Sequence, residues 1–485
     1  MTRMMTASLL ALMATGALAQ DHLSIGIQLE PPHLDPTAGA AGAIDDITYA
    51  NIFEGLTRFA EDGSVVPALA ESWEVSEDGT VYTFALRQGV TFHDGSTFDA
   101  EDVKFSLDRA RAEDSTNAQK ALFEGIEAVN VIDPATVEIV LSATDGNFPF
   151  NLAWGDAAIV APETAEGNMQ QPVGTGAFTF EAWVQGDRIE LARYDGYWGE
   201  PAALESATFR FITDPTAAFA AMMAEDLDAF SAFPAPENVV QFEADPRFQV
   251  LVGSTEGETI LAINNRTVSD PRVREAIAHA IDRQALIDGV QFGYGTPIGT
   301  HFAPHNPAYL DLTGLSAYDP DRARELLAEA GAEDLTLSLK LPPPSYARRG
   351  GEIIAAQLRE VGIETEIENQ DWAQWLETTF AGSGFDLTVI SHTEPMDINI
   401  YANPDYYFGY DNPELQALMT ELGAMTDQET RTDLLQQAQT IIAEDFVNAY
   451  LFQLPRITIA KAGIEGLWVD APTQAVDLTG VSWTE

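Results

Sequence analysis

The chain has 485 residues, 46% of them hydrophobic, and sets 76 Asp and Glu against 24 Lys and Arg for a formal net charge of −52. A field of that sign repels nucleic acid and anionic membrane, which excludes a nucleic-acid partner, and zero cysteines exclude disulfides, thiol catalysis, Cys-based zinc sites and a cysteine lipid anchor. Single cores stop growing at roughly 250 to 300 residues, so this length predicts two lobes. The acids are spread along the whole chain, as on a solvated surface adapted to salt rather than at one site for a cation.

In chain order, residues 1–19 read as an export signal: Arg3 gives a positive start, Leu9 to Ala14 a short apolar run, and Ala17, Leu18 and Ala19 a cleavage motif before Gln20. The expectation is a periplasmic protein cleaved after Ala19. Leu23, Ile25, Ile27 and Leu29 alternate as a half-buried strand that runs into a rigid loop, Glu30, Pro31, Pro32, His33, Leu34, Asp35, Pro36. Trp73 and Val75 then answer Tyr82, Phe84 and Leu86 across an Asp78–Gly79 turn. His93 beside Asp94 has the composition of a catalytic dyad, but such neighbours are common in a chain this acidic, and the pair is read as a turn. Asp99 caps a helix carrying Val103 and Leu107, and two strands flank an Asp133–Pro134 turn. Gly174, Thr175 and Gly176 could cradle a phosphate, yet the third glycine, the following helix and a Walker lysine are all missing, so no nucleotide cofactor is expected.

Further on, Ile260 to Ile263 read as a buried strand, and Asp270 and Pro271 start a helix in which Val273, Ile277 and Ile281 recur until Gly289. His301 and His305 stand four apart, a metal-ligand spacing on a helix. The surrounding Gly295, Pro297, Gly299 and Pro304 predict a loop, no acidic third ligand lies nearby in sequence, and no metal site is assigned. Leu335 to Leu341 form a strand leading to Arg348 and Arg349 at the start of a helix; either guanidinium could hold a carboxylate bidentately, and Arg348 is the candidate. Asp371 caps a helix with Trp372, Trp375, Leu376 and Phe380, and a buried strand from Phe385 to Ile390 ends in Ser391, His392, Thr393, Glu394, Pro395, Met396, Asp397. Tyr401, Tyr406, Tyr407 and Tyr410 follow, rings with polar tips suited to a ligand-facing surface.

Several ordered strings carry a family likeness: Glu30-x-x-x-Leu34-Asp35-Pro36; Phe53, Glu54, Gly55, Leu56; Pro172-x-Gly174-Thr175-Gly176; and Asn264, Asn265, Asp270, Pro271, Arg272, Val273, Arg274, Ala276, Ile277, Ala280, Ile281, Asp282. Together they resemble bacterial extracellular solute-binding family 5, the peptide- and nickel-type binding proteins of ABC importers. The resemblance implies a two-lobed α/β fold (type II) with an extra subdomain in lobe one. The implied divisions are 20–55, 56–160 (the extra subdomain), 161–262 and 453–485 for lobe one, and 263–452 for lobe two. Two separate sheets would point their strand ends at one cleft, with crossings near 260–270 and 445–458.

The resemblance also implies hinge closure on a ligand, membrane permease partners, a monomer, no cofactor and no enzymatic activity. Peptide-binding members carry Gly-Trp and then an Asp that receives the ligand's ammonium group; Ser391 stands at the Gly, His392 at the Trp and Glu394 at the Asp. The implied ligand-binding residues are Glu30, His33, Arg348, Trp372, His392, Glu394, Asp397, Tyr401 and Tyr406. A short peptide or an amine-bearing peptide-like solute is the first expectation, with an opine, an oligosaccharide or a nickel chelate as alternatives. A periplasmic hydrolase is the rival class; neither Gly-x-Ser-x-Gly nor His-Glu-x-x-His occurs in the chain.

Overall fold

The computed structural model describes residues 21–393 and 397–484. The extra subdomain is built from the hairpins that the turn residues foretold. Ala70–Val75 pairs antiparallel with Val81–Leu86, which pairs with Thr136–Leu141, which pairs with Ile126–Asp133. The helix Ala100–Arg111 covers this sheet, started by a reciprocal cap between Asp99 and Asp102. Tyr82, Phe84, Phe92, Val103, Leu107 and Ile139 share its core.

In lobe one the first strand, His22–Ile27, lies parallel to Ser206–Phe211 and to Ala229–Phe230, with the hairpin Phe178–Val184 and Arg188–Arg193 at the sheet edge. The strand ends earlier than its apolar alternation predicts: Leu29 lies beyond it and is 63% exposed. Gly174 and Gly176 serve close backbone approach rather than phosphate. A Cβ on Gly174 would stand 2.0 Å from the Ile52 carbonyl oxygen, and one on Gly176 would stand 2.5 Å from that of Asn51. His93 bridges the same turn, its Nε2 2.9 Å from Gly176 O while Gly174 N–H donates to Nδ1 at 3.3 Å. Burial lowers its pKa to about 4, so the ring is neutral at physiological pH.

Lobe two takes Leu335–Leu341 parallel to both Ile363–Asn369 and Leu387–His392. The expected helix from Pro271 is two helices, Pro271–His279 and Arg283–Gln291. Asp282 caps the second by accepting from Ala285 N–H at 3.0 Å, which breaks the first, and Gly289 lies inside the second rather than ending it.

The lobes are joined by two long antiparallel strands, Phe248–Ile263 and Asn448–Lys461, which belong to both. Their shared ladder makes the expected pair of sheets one continuous 11-stranded sheet among the described residues. The apolar cores nevertheless remain separate. Phe248, Ile457 and Ile459 pack with lobe-one residues such as Phe230, while Leu261, Ile263, Ala449 and Leu451 pack in lobe two. The first crossing therefore lies before residue 260, where register shifts occur between Ser254 and Glu258 and again between Thr259 and Ile260. Residues 260–263, expected at the crossing, are instead the first lobe-two segment.

Candidate functional site

The carboxyl ends of the parallel strands carry the loops from which open α/β sheets build ligand sites. On the lobe-one side, Glu30 is exposed, and its Oε1 accepts from Trp183 Nε1–H and from Gly186 N–H, each at 2.9 Å. The turn between the two edge strands thus fixes the carboxylate and leaves Oε2 for other contacts. His33 is half-buried and accepts from Asp35 N–H at 3.3 Å. Its loop is anchored by buried Asp35, which accepts from Thr37 N–H at 2.9 Å and from Arg109 of the subdomain helix at 3.2 Å.

On the lobe-two side, Arg348 is exposed and donates to Gln370 O at 3.1 Å. It lies beside the carboxyl ends of Leu335–Leu341 and Ile363–Asn369. Arg349 instead donates to Gly289 O at 2.7 Å and lies over the Phe292 ring. Trp372 is 44% exposed and meets the buried Trp375 edge to face, with ring centroids 5.8 Å apart. Trp375 contacts Tyr407, which stacks on His392 at 6.1 Å, and half-buried Tyr406 packs between His392 and Phe380. Three candidates, Trp372, His392 and Tyr406, are thereby linked in one aromatic wall, and Asp397 joins it beside His392.

Tyr401 is a correction. It is fully buried, and its hydroxyl receives hydrogen bonds from Tyr450 at 2.9 Å and Asn448 at 3.2 Å. It stands behind the wall, and Tyr407 and Tyr410 are buried as well. A cluster of aromatic residues with polar tips looks alike in sequence whether the tips meet solvent or one another. Glu394 lies outside the described residues.

Asp397 carries the strongest electrostatics of this wall. Burial alone would raise its pKa, but the imidazoles of His301 and His392 hold it well below the usual carboxylate range. His301 Nε2 lies 2.5 Å from Asp397 Oδ1, and His392 Nδ1 lies 3.6 Å from Oδ2. Glu258, from the first crossing strand, pairs across the ladder with His392 and presents Oε1 3.2 Å from His301 Nε2. Sequence reasoning passed over Glu258 altogether and dismissed His301 for want of a nearby acid. The acids come from the crossing strand and from the segment after Leu387–His392, a proximity that no local spacing encodes.

The description "Bacterial extracellular solute-binding proteins, family 5 Middle" matches residues 64–397. The glutathione-binding protein GsiB of Salmonella paratyphi A is 33% identical over 369 residues, 74% of this chain and 71% of that protein. The dipeptide-binding protein of Escherichia coli is 28% identical over 404 residues, 76% and 75% of the two chains. In three dimensions the chain superposes on HbpA2 from Haemophilus parasuis with a TM-score of 0.87 at 24% identity, covering 96% of this chain and 100% of that one. Members of the family are periplasmic binding proteins rather than enzymes, and no helix among the described residues is long and apolar enough to cross a membrane. With two lobes, two crossings and a cleft between them, the chain belongs to family 5 of the bacterial extracellular solute-binding proteins.

Proposed function

We propose that this chain is the solute-binding subunit of an ABC importer, exported with cleavage after Ala19, which captures a short peptide or an amine-bearing peptide-like solute as a monomer and presents it to membrane permease subunits. The observation that carries this reading is the pair of shared strands, broken in register between Ser254 and Glu258, which join two separately packed lobes. Ligand contacts to both walls favour the closed form by their differential affinity for it. Relatives that bind glutathione and dipeptides support the peptide-like class.

Glu30 and His33 are assigned to the lobe-one wall, and Arg348, Trp372, His392, Glu394, Asp397 and Tyr406 to the lobe-two wall. An ammonium group would be received by the carboxylates through charge-assisted hydrogen bonds, and a carboxylate by Arg348. The expected division into lobe one (20–55, 161–262 and 453–485), extra subdomain (56–160) and lobe two (263–452) serves truncation experiments with its boundary at 262 moved ahead of residue 260, where the chain crosses.

The test is a thermal-shift screen of the purified mature chain, stripped with EDTA and then desalted, against dipeptides, oligopeptides, glutathione, opines, oligosaccharides and nickel chelates. A solute at a hundred times its Kd stabilises the protein by about 2.7 kcal/mol. A stabilising peptide-class hit recovered chemically unchanged supports the reading. Stabilisation only by a sugar or an opine replaces the solute class, and product formation on incubation overturns the reading in favour of a hydrolase.

A further inference from the structure

His301 is buried at 2% exposure in the loop that follows the short Thr296–Pro297 strand, and it meets two acids from distant parts of the chain. Its Nε2, an Asp397 oxygen and a Glu258 oxygen all lie within 4.8 Å of one another. Donors bonded to one ion at about 2.0 to 2.2 Å stand roughly 3 Å apart. The 3.2 Å edge between His301 and Glu258 already has that length. The 2.5 Å edge to Asp397 is a direct hydrogen bond that opens by about half an ångström when an ion replaces its proton.

We propose that Glu258, His301 Nε2 and Asp397 form a binding site for a divalent transition-metal cation on the lobe-two wall of the cleft. One imidazole with two carboxylates is a mixed nitrogen and oxygen set suited to Zn²⁺ and its neighbours rather than to Ca²⁺ or Mg²⁺. Charge points the same way. A divalent ion balances the two carboxylates that the fold brings together in this buried site.

The surroundings fix the ligands as metal sites require. His301 Nδ1 lies 3.3 Å from Tyr401 Oη, which orients the ring, and His392 Nδ1 lies 3.6 Å from the second oxygen of Asp397. With an ion on Nε2, the ring's one N–H lies at Nδ1 and faces Tyr401 Oη as donor. Because Glu258 sits at the register break, the bound ion ties the first crossing strand to the loop of His301 and to the segment after His392.

The experiment is calorimetric titration of the EDTA-stripped mature chain with ZnCl₂ alone, without any solute, at near-physiological salt, so that its outcome is independent of the solute screen. One site per chain is expected. His301→Gln and Asp397→Asn should each weaken it by about tenfold or more. His305→Ala, on the same loop but facing Glu256 at 2.5 Å, should leave the affinity within about twofold, and circular dichroism verifies that each variant is folded. Absence of saturable Zn²⁺ binding by the native chain overturns the proposal. So does binding that His301→Gln and Asp397→Asn leave unchanged, since that marks loose association with the acidic surface.

Discussion

Glu54 should make the stability of this protein depend on pH in a way that one substitution removes. Its carboxyl is 5% exposed and surrounded by three donors: Thr175 Oγ1–H and Trp198 Nε1–H at 2.8 Å on Oε2, and Tyr197 Oη at 3.0 Å on Oε1. Burial raises its pKa from 4.5 to about 7 against the opposing pull of those hydrogen bonds. The folded state thus holds this proton more tightly than the unfolded chain. For an acid raised in this way, the contribution is complete below pH 4.5 and is lost as pH climbs towards 7. The displacement corresponds to about 3 kcal/mol. Glu54→Gln mimics the neutral acid: its carbonyl accepts from Thr175 and Trp198, and its amide donates to Tyr197, whose hydroxyl reverses. Urea unfolding of both proteins from pH 4.5 to pH 8 should show the variant within about 1 kcal/mol of native at the acid end and about 3 kcal/mol more stable at the alkaline end. Asp156, raised to about 7, and Asp46, raised to about 6, titrate in both proteins and cancel in the difference. Parallel stability curves for the two proteins across this range would refute the reasoning.

Two substitutions probe the frame around the cleft. Arg283 is buried and donates to Tyr450 O and Ser316 O, each at 2.7 Å, so Arg283→Met strands two buried carbonyls; a loss of about 2 to 4 kcal/mol should lower the melting temperature in calorimetry. Gly253→Ala places a Cβ 2.1 Å from Val469 O in the C-terminal segment, and the backbone clash should cost about 2 kcal/mol, read by the same scan; an unchanged melting temperature would mean that the backbone around Val469 shifts freely.

What could be read from the sequence was what is encoded locally. Asp99, Asp270 and Asp371 cap the helices they were expected to cap, because each carboxylate needs only an amide two or three residues on. The Asp78–Gly79 and Asp133–Pro134 turns follow from the same local chemistry, Gly79 taking a φ of 70°. The break at Asp282 was hidden because apolar periodicity continues across it: Ile281 is buried, and so are Leu286 and Ile287 beyond. Only the competition between cap and helix stops the turn. Leu29 and Tyr401 failed for a complementary reason, since burial is decided by what the rest of the chain brings to a residue. His301 was judged by its neighbours in sequence, whereas its acids arrive from strand ends that meet only after both crossings have formed. The family strings supplied the long-range part of the reading, and they place segments better than they place individual side chains.

The register break explains why two lobes joined by a continuous ladder can still move against each other. Beyond it on one side, Val250, Leu251 and Val252 pair with Ile459, Thr458 and Ile457; on the other, Ile260 and Leu261 pair with Tyr450 and Ala449. Between them, residues 255 to 257 have no partner in this ladder, and side chains span the gap. Thr255 Oγ1–H donates to Leu454 O at 3.0 Å, Gln453 Nε2–H donates to Thr255 O at 2.5 Å, and His305 links Ser254 Oγ at 2.8 Å to Glu256 at 2.5 Å. Bends at a bulge are absorbed by backbone torsions that need not be shared by the flanking ladder. Because the apolar cores lie on either side and not across the break, rotation there need not open either core. Two adjacent crossings allow such rotation while resisting separation of the lobes. The free energy that selects the closed form must then come from the contents of the cleft.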